Sequence, residues 1–135
     1  MRKFSLLLVS AALTGVVAAA PPAPAASAPQ SLQAEANYAV ASVLSREVTG
    51  LRVQINRTSD NAPVSGLFIT FETGGERYEL CTAYTDTNGV AECTTQIPIG
   101  VPLVAALTAG YDAVFTGTEQ YAPISAHGGV GIQLI

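Results

Sequence analysis

Lysine is nearly missing from this chain of 135 residues, because Lys3 near the N-terminus is the only one. Lys3 falls within a predicted signal peptide, described below, so the mature chain has no lysine for Schiff-base catalysis, a general base or a phosphate clamp. Histidine is equally scarce, with His127 alone, and the cysteines number two, Cys81 and Cys93. Two cysteines and one distant histidine do not supply the usual four ligands of a structural zinc site.

Long apolar stretches are also missing, apart from one at the N-terminus. Two basic residues precede an apolar run from Phe4 to about Ala20, and small residues and prolines follow it. This order is typical of a secretory signal peptide, although an uncleaved membrane anchor, which needs roughly 20 apolar residues, is the alternative. An Ala-x-Ala pattern predicts cleavage after Ala25. We therefore expect a signal peptide at 1–25, a secreted protein, and no transmembrane anchor in the mature chain.

Positive charge is in short supply once the predicted signal is removed. The chain beyond Ala25 holds four arginines against ten acidic residues, which gives a formal net charge of −6. Such a chain repels the phosphate backbone of nucleic acid and an anionic membrane surface, so we expect neither as a partner. The length of this mature chain suits a single domain with its own core.

What the mature chain does contain is a series of short runs in which apolar and polar residues alternate. A flexible leader at 26–31, rich in proline, alanine and serine, precedes them, and the clearest run has Leu51, Val53 and Ile55 on one side. Alternation with a period of two predicts strands with one buried face. Turn-forming residues separate the runs, which indicates an all-β sandwich or barrel. We expect about seven strands in one domain over 32–135.

Other segments are less regular. Residues 31–45 alternate but are rich in helix formers, and we favour a strand over a helix there. Residues 100–110 are predicted to form a strand entered by Pro102, and residues 111–123 a looped or bent connection. A last strand is expected through 130–134.

Both cysteines flank a turn in LCTAYTDTNGVAEC, residues 80–93. Asp86 can accept backbone hydrogen bonds and Gly89 can adopt the left-handed conformation, which predicts a type I turn between them. The two arms would then form an antiparallel hairpin and bring Cys81 opposite or diagonal to Cys93.

Four roles compete for the cysteine pair. A zinc site lacks ligands, and a redox-active pair usually has two intervening residues where this pair has eleven. Export to an oxidising compartment disfavours two free thiols. We therefore expect a structural disulfide between Cys81 and Cys93.

Three stretches together resemble the bacterial immunoglobulin-like domains of secreted and surface proteins. They are NAPVSGLFITF at 61–71, CTAYTDTNGVAEC at 81–93 and TAGYDAVFTGTEQYAPISA at 108–126. In that family a Pro-Val-x-Gly turn leads into a core strand, a hairpin follows, and a late loop precedes the last strand. The resemblance covers about 32–135 and implies an immunoglobulin-like Greek-key β-sandwich that acts as a spacer, stalk or binding module without catalytic residues. It also agrees with the disulfide, since related domains often carry a cysteine on each arm of the hairpin.

His127 is the candidate for a catalytic base. A serine hydrolase would pair it with Ser125 or Ser65 and with Asp112, but no nucleophile elbow is present in the sequence. The aspartates lack the Asp-x-Asp-x-Asp spacing of a calcium loop. A glycosidase would need two glutamates to converge, from Glu72, Glu76, Glu79, Glu92 and Glu119. We predict that the protein is not an enzyme and uses no cofactor or metal.

Aromatic residues cluster late in the sequence, at Tyr111, Phe115 and Tyr121. Two interpretations stay open for them, packing in the core and a binding surface at the loop end of the sandwich. We expect a secreted structural or adhesive domain whose partner is an extracellular protein or a cell-surface component. The alternative is a secreted ligand-binding or inhibitor protein that uses the loops at 111–121 or 72–77.

Overall fold

The computed structural model describes residues 28–134, so the predicted signal peptide and its cleavage after Ala25 lie outside the described residues. Over this range the chain forms nine strands and one short helix. In chain order they are β1 Leu32–Ala36, β2 Ala39–Ser42, β3 Glu47–Arg57, β4 Phe68–Thr73, β5 Glu79–Tyr84, β6 Val90–Gln96, α1 Leu103–Leu107, β7 Tyr111–Phe115, β8 Ile124–Gly128 and β9 Val130–Gln133.

The strands form two sheets that pack face to face. In sheet 1, the long strand β3 pairs with β1 and then β2 along one edge and with β6 along the other, and all three pairings are antiparallel. β9 extends sheet 1 by pairing with β2 in parallel. Sheet 2 is antiparallel with the order β5-β4-β7-β8. The predicted all-β sandwich is confirmed.

The core lies between the sheets and follows the predicted alternation in the two longest runs. Leu51, Val53 and Ile55 of β3 are 0, 0 and 1% exposed, and Ile69 and Phe71 of β4 are fully buried. Removal of these side chains from water is the main favourable contribution to folding. Because alternate residues face outward, both sheets also present a solvent-facing surface on which a site can be built.

Residues 31–45, for which a helix was the alternative, form strands. The alternation shifts by one residue between β1 and β2, since Leu32 is buried in the first and Ala39 and Ala41 in the second. Tyr38 falls at this shift and is exposed. The described end of the predicted flexible leader is hydrogen-bonded, because Gln30 forms a parallel bridge with the 120–122 segment.

The strand predicted at 100–110 is wrong, because this segment contains the helix α1. Leu103, Ala106 and Leu107 recur at helical spacing and are buried on one face. Pro102 stands at the N-cap, where a helix has no need of a backbone N–H donor.

The looped connection predicted at 111–123 is correct only for its second half. Tyr111–Phe115 is β7, an inner strand of sheet 2 that pairs with β4 on one side and β8 on the other. Its alternate residues are buried, so the segment has the period of a half-buried strand. Three buried residues at alternate positions were enough to form a strand, although Gly110 and Gly117 flank the segment.

Candidate functional site

The segment around the cysteines forms the predicted turn but not the predicted hairpin. Gly89 has a φ of +77°, and its N–H donates to the carbonyl oxygen of Asp86 at 2.9 Å. Oδ1 of Asp86 accepts from the N–H groups of Asn88 at 2.8 Å and Val90 at 3.0 Å. The arms, however, enter different sheets, since β5 pairs with β4 and β6 pairs with β3. The turn reverses the chain and also carries it from sheet 2 to sheet 1.

Cys81 and Cys93 form the predicted disulfide, with their Cα atoms 6.5 Å apart. Cys81 lies opposite Phe71 in sheet 2, and Cys93 lies opposite Leu51 in sheet 1. β5 and β6 are each the outermost strand on this side of their sheets. The bond therefore joins the two sheets at one edge of the sandwich instead of fastening two arms of one hairpin.

The residues considered for a hydrolase come together only in part. Asp112 and His127 are opposite each other in β7 and β8, and Oδ1 of the first lies 2.8 Å from Nδ1 of the second. Glu72 of β4 is opposite Asp112 on its other side and binds Arg77 at 2.8 Å. Within residues 28–134, no hydroxyl group is hydrogen-bonded to His127. Neither Ser125 nor another nucleophile therefore joins Asp112 and His127 in the arrangement that a serine hydrolase needs.

The His127 ring also packs on backbone. A β-carbon at Gly110 would lie 2.9 Å from Nε2 of the ring, and one at Gly74 would lie 3.2 Å from Cε1. These glycines are themselves joined, because the N–H of Gly74 donates to the carbonyl oxygen of Gly110 at 2.9 Å. One edge of the ring therefore lies over the junction between the connection after β4 and the start of β7, while the side chain as a whole is 60% exposed.

The acidic residues are spread over the surface, and three of the ten pair with arginines. The pairs are Arg52–Glu92 at 3.7 Å, Arg57–Asp60 at 3.1 Å and Arg77–Glu72 at 2.8 Å. Among the residues that the structure describes, no group of three or more His, Cys, Asp or Glu side chains could hold a metal ion. Two of the glutamates considered for a glycosidase, Glu72 and Glu92, therefore each pair with a different arginine.

Tyr111, Phe115 and Tyr121 lie in the interior, at 0, 3 and 9% exposure. The Tyr111 hydroxyl donates to the carbonyl oxygen of Asn37 and lies 3.1 Å from that of Arg52. Burial raises the pKa of Tyr111, and its hydrogen bonds to backbone groups offset part of that rise. These are the positions of core residues, and they leave little ring surface to contact a ligand.

Exposed aromatic rings lie elsewhere. Phe68 and Tyr84 are opposite each other on the outer face of sheet 2, with ring centroids 5.1 Å apart, and both are well exposed. Tyr38 is 68% exposed and covers the backbone of β9 and the residue before it. A β-carbon at Gly131 would lie 2.5 Å from its hydroxyl oxygen, and one at Gly129 would lie 3.2 Å from its ring.

Arg46 is a structural residue that sequence reasoning missed. It lies between β2 and β3 with a φ of +58°. Its guanidinium donates to the carbonyl oxygens of Ile97 and Pro98 at 2.9 Å each, and to that of Val101. The side chain thereby fixes the connection between β6 and α1. No local pattern could have indicated this, because its partners lie far along the chain, beyond four intervening strands.

A polar cleft with a volume of about 440 Å³ opens on the outer face of sheet 1. Carboxamides dominate its lining, which consists of Gln33, Ala34, Glu35, Gln54, Asn56 and Asn61. Sequence reasoning missed this cleft because its residues meet only through the pairing of β1 with β3.

No protein-family model, curated protein or solved structure matches the chain. Across residues 28–134, no helix combines the length and the apolar character that a membrane span requires.

Proposed function

We propose that the chain is an exported immunoglobulin-like domain with a structural or adhesive role outside the cell and no catalytic role. The observation that carries this proposal is the Cys81–Cys93 bond between the edge strands of the two sheets. Structural disulfides form and persist mainly in oxidising compartments outside the cytosol. A sandwich joined across its edge suits a domain that must keep its shape there.

The strand order supports the immunoglobulin-like part of the proposal. β1, β2, β3 and β6 share one sheet, β5, β4, β7 and β8 share the other, and β9 returns beside β2. The connections from β3 to β4 and from β5 to β6 pass between the sheets, as they do in Greek-key sandwiches. The same order accommodates the three sequence stretches that resemble the bacterial family.

The outer face of sheet 2 supports a role in contact more than one in chemistry. His127 is held by Asp112 through one ring nitrogen, and Cε1 and Nε2 of its ring lie beside the backbone of Gly74 and Gly110, while the side chain stays 60% exposed. The same face exposes the Phe68–Tyr84 pair, and aromatic rings are enriched at protein interfaces. The partner in this role would be an extracellular protein or a cell-surface component.

The loop-based inhibitor is a weaker alternative. Its principal loop, 111–121, keeps its aromatic rings inside the domain. The second loop, 72–77, does expose side chains, but its Glu72 and Arg77 pair with each other and are less free to engage a target.

Export and disulfide formation can be tested together. The full chain is expressed in a secretion-competent bacterium, and the culture medium is analysed by intact mass spectrometry without reductant. We expect a species that begins after Ala25 and lacks two hydrogens relative to its reduced form. Retention of the chain inside the cell, or free thiols in the exported form, would contradict the proposal.

The role is tested with the purified mature domain. We expect it to bind insoluble cell-envelope material, and a tight stoichiometric soluble partner would favour the inhibitor instead. A hydrolase screen serves as the control for chemistry. Activity that disappears in His127→Ala but survives in Tyr84→Ala would overturn the non-catalytic assignment.

A further inference from the structure

We propose that the cleft on the outer face of sheet 1 binds a neutral glycan. This proposal names a ligand class for the adhesive role proposed above. It rests on that role only for the place of binding, which would be outside the cell. Four features of sheet 1 support this proposal. They are the connected carboxamides of the cleft, its unused polar groups, the hydrogen-bonded turn beside it, and an exposed tyrosine in a neighbouring cleft.

The four carboxamides orient one another. Gln33 lies opposite Asn56 on the paired strands, and Oδ1 of Asn61 accepts from Nε2 of Gln33 and from Nδ2 of Asn56, the latter at 3.2 Å. Nε2 of Gln54 lies 3.4 Å from Oδ1 of Asn56 and donates to the carbonyl oxygen of Asn88 at 3.2 Å. Side chains ordered in this way lose less rotamer freedom when a ligand binds.

The network leaves several polar groups unused. Within residues 28–134, Oε1 of Gln33, Oε1 of Gln54, Nδ2 of Asn61 and the carboxylate of Glu35 have no hydrogen-bonding partner. The cleft therefore presents amide N–H donors beside several acceptors. A sugar hydroxyl both donates and accepts, so a row of adjacent hydroxyls matches this mixture of groups.

A hydrogen-bonded turn positions Asn61. Nε and Nη2 of Arg57 donate to the two carboxylate oxygens of Asp60 at 3.1 Å each, and Oδ1 of Asp60 also accepts from the N–H of Ala62 at 3.1 Å. Asn61, between them, has a φ of +59°, and its N–H donates to the carbonyl oxygen of Arg57 at 2.8 Å. Asparagine adopts this conformation more readily than most residues, and such backbone outliers concentrate at functional sites.

The polar surface extends beyond the cleft. A second cleft of about 400 Å³ includes Asn37, Arg52 and the exposed Tyr38 in its lining. Asn37 is four residues beyond Gln33, which corresponds to about 13 Å along an extended chain. The two clefts together suit an elongated ligand of several sugar units, with an aromatic ring available to the apolar face of one of them.

The chemistry of the lining favours a neutral glycan over other polymers. None of the six residues that line the first cleft is large and apolar, whereas protein interfaces depend on buried aromatic and arginine anchors. Glu35 would repel a polyanion, and Arg52 in the second cleft is already paired with Glu92 at 3.7 Å. Hydroxyl groups without charge are the ligand chemistry that remains.

The test is a titration of the ¹⁵N-labelled mature domain with three neutral probes, namely maltohexaose, cellohexaose and chitohexaose. Side-chain carboxamide resonances report directly on the residues concerned. We expect saturable shifts of Gln33, Gln54 and Asn61 with at least one probe. If none of the three shifts these resonances at about 10 mM, well above a millimolar Kd, the proposal is overturned.

Two variants locate the binding. Asn61→Gly removes the carboxamide and keeps the positive φ, and Gln54→Ala removes an acceptor at an exposed position. Each should weaken binding about tenfold, the loss expected for one hydrogen bond of about 1.4 kcal/mol. Gln96→Ala, which removes a carboxamide outside the cleft, is the matched control and should bind like the wild type. Unchanged binding by both cleft variants would assign the ligand to another surface and overturn the proposal.

The outcome is separable from that of the proposed role. Export and envelope binding by a domain whose cleft carboxamides shift with none of the three probes would refute the glycan site and leave the adhesive role standing. Glycan binding by a chain that is never exported would support the glycan site and refute the proposed extracellular role.

Discussion

The two edges of the sandwich are closed by different means. At one edge, the Cys81–Cys93 bond joins β5 of sheet 2 to β6 of sheet 1. At the other, β1 lies against β8, and the Tyr111 hydroxyl reaches across from sheet 2 to the backbone of sheet 1 at Asn37. The Tyr111 ring fits there because the residue opposite it in β8 is Gly128.

The difference shows what each edge depends on. The covalent edge relies on oxidation and should tolerate small changes in the packing around it. The Tyr111 edge relies on one hydroxyl and on the absence of one side chain, and should be indifferent to redox conditions. Variants at each edge can therefore separate the two contributions to stability.

The largest effect is expected from Cys81→Ala combined with Cys93→Ala. The chain-entropy model gives a loss of about 3 kcal/mol in the free energy of unfolding for a sequence separation of 12 residues. Because the arms belong to different sheets, a residual hairpin in the unfolded chain is not expected to reduce this value. Urea denaturation measures it, and reduction of the wild type should reproduce it. A reductant that lowers the stability of the double variant equally would refute this explanation.

A methyl group at the other edge should cost about 2 kcal/mol. In Gly128→Ala the new β-carbon would lie 2.6 Å from the carbonyl oxygen of Asn37 and 2.5 Å from Cε1 of Tyr111, so backbone or ring must move. Gly100→Ala is the matched control, because nothing lies within 4 Å of its β-carbon. Equal midpoints for the two alanine variants in urea would contradict the close packing described for this edge.

Removal of the phenol oxygen should have a smaller effect. Tyr111→Phe keeps the ring but leaves the carbonyl oxygen of Asn37 without this donor, which should lower the free energy of unfolding by about 1–2 kcal/mol. Tyr84→Phe, at an exposed tyrosine, should change stability little. If the edges are independent, the losses from Tyr111→Phe and the cysteine double variant add to within about 0.5 kcal/mol. A larger deviation would mean that the edges are coupled.

The smallest effect on stability is expected from a change in the turn at 57–62, which is part of neither edge. The Arg57 side chain, followed by the N–H of Ala62, lowers the pKa of Asp60 below its ordinary value of 3.8. A lowered folded-state pKa stabilises the fold above the unfolded value, and this contribution disappears as the pH falls through the folded value. Asp60→Asn should therefore lose less stability than the wild type on acidification from about pH 5 to about pH 2. Parallel stability curves would contradict this assignment.

Local patterns were sufficient for much of the fold. Alternation identified the buried faces of β3 and β4, because each is a long strand with one face in the core. The positions of Asp86 and Gly89 identified the turn, since the hydrogen bonds that close it lie within residues 86–90. The spacing of the cysteines and the predicted export identified the disulfide.

Features that depend on distant partners were not predictable in the same way. A turn determines that the chain reverses, but the pairing of each arm depends on neighbours far along the chain, so the hairpin was wrong. The helix α1 spans only five residues, too few for a period of 3.6 to stand out. The polar cleft exists only because the register of β1 against β3 brings Gln33 beside Asn56.

The bond between the sheets also changes how the domain would extend under a pulling force. If the chain ends were drawn apart, the 12 peptide units between Cys81 and Cys93 could not lengthen while the bond is intact. Fully stretched, they would contribute about 40 Å. The bonded cysteines still span 6.5 Å between their Cα atoms. An oxidised domain would therefore extend less than a reduced one by roughly 35 Å, and the missing extension would lie in the middle of the chain.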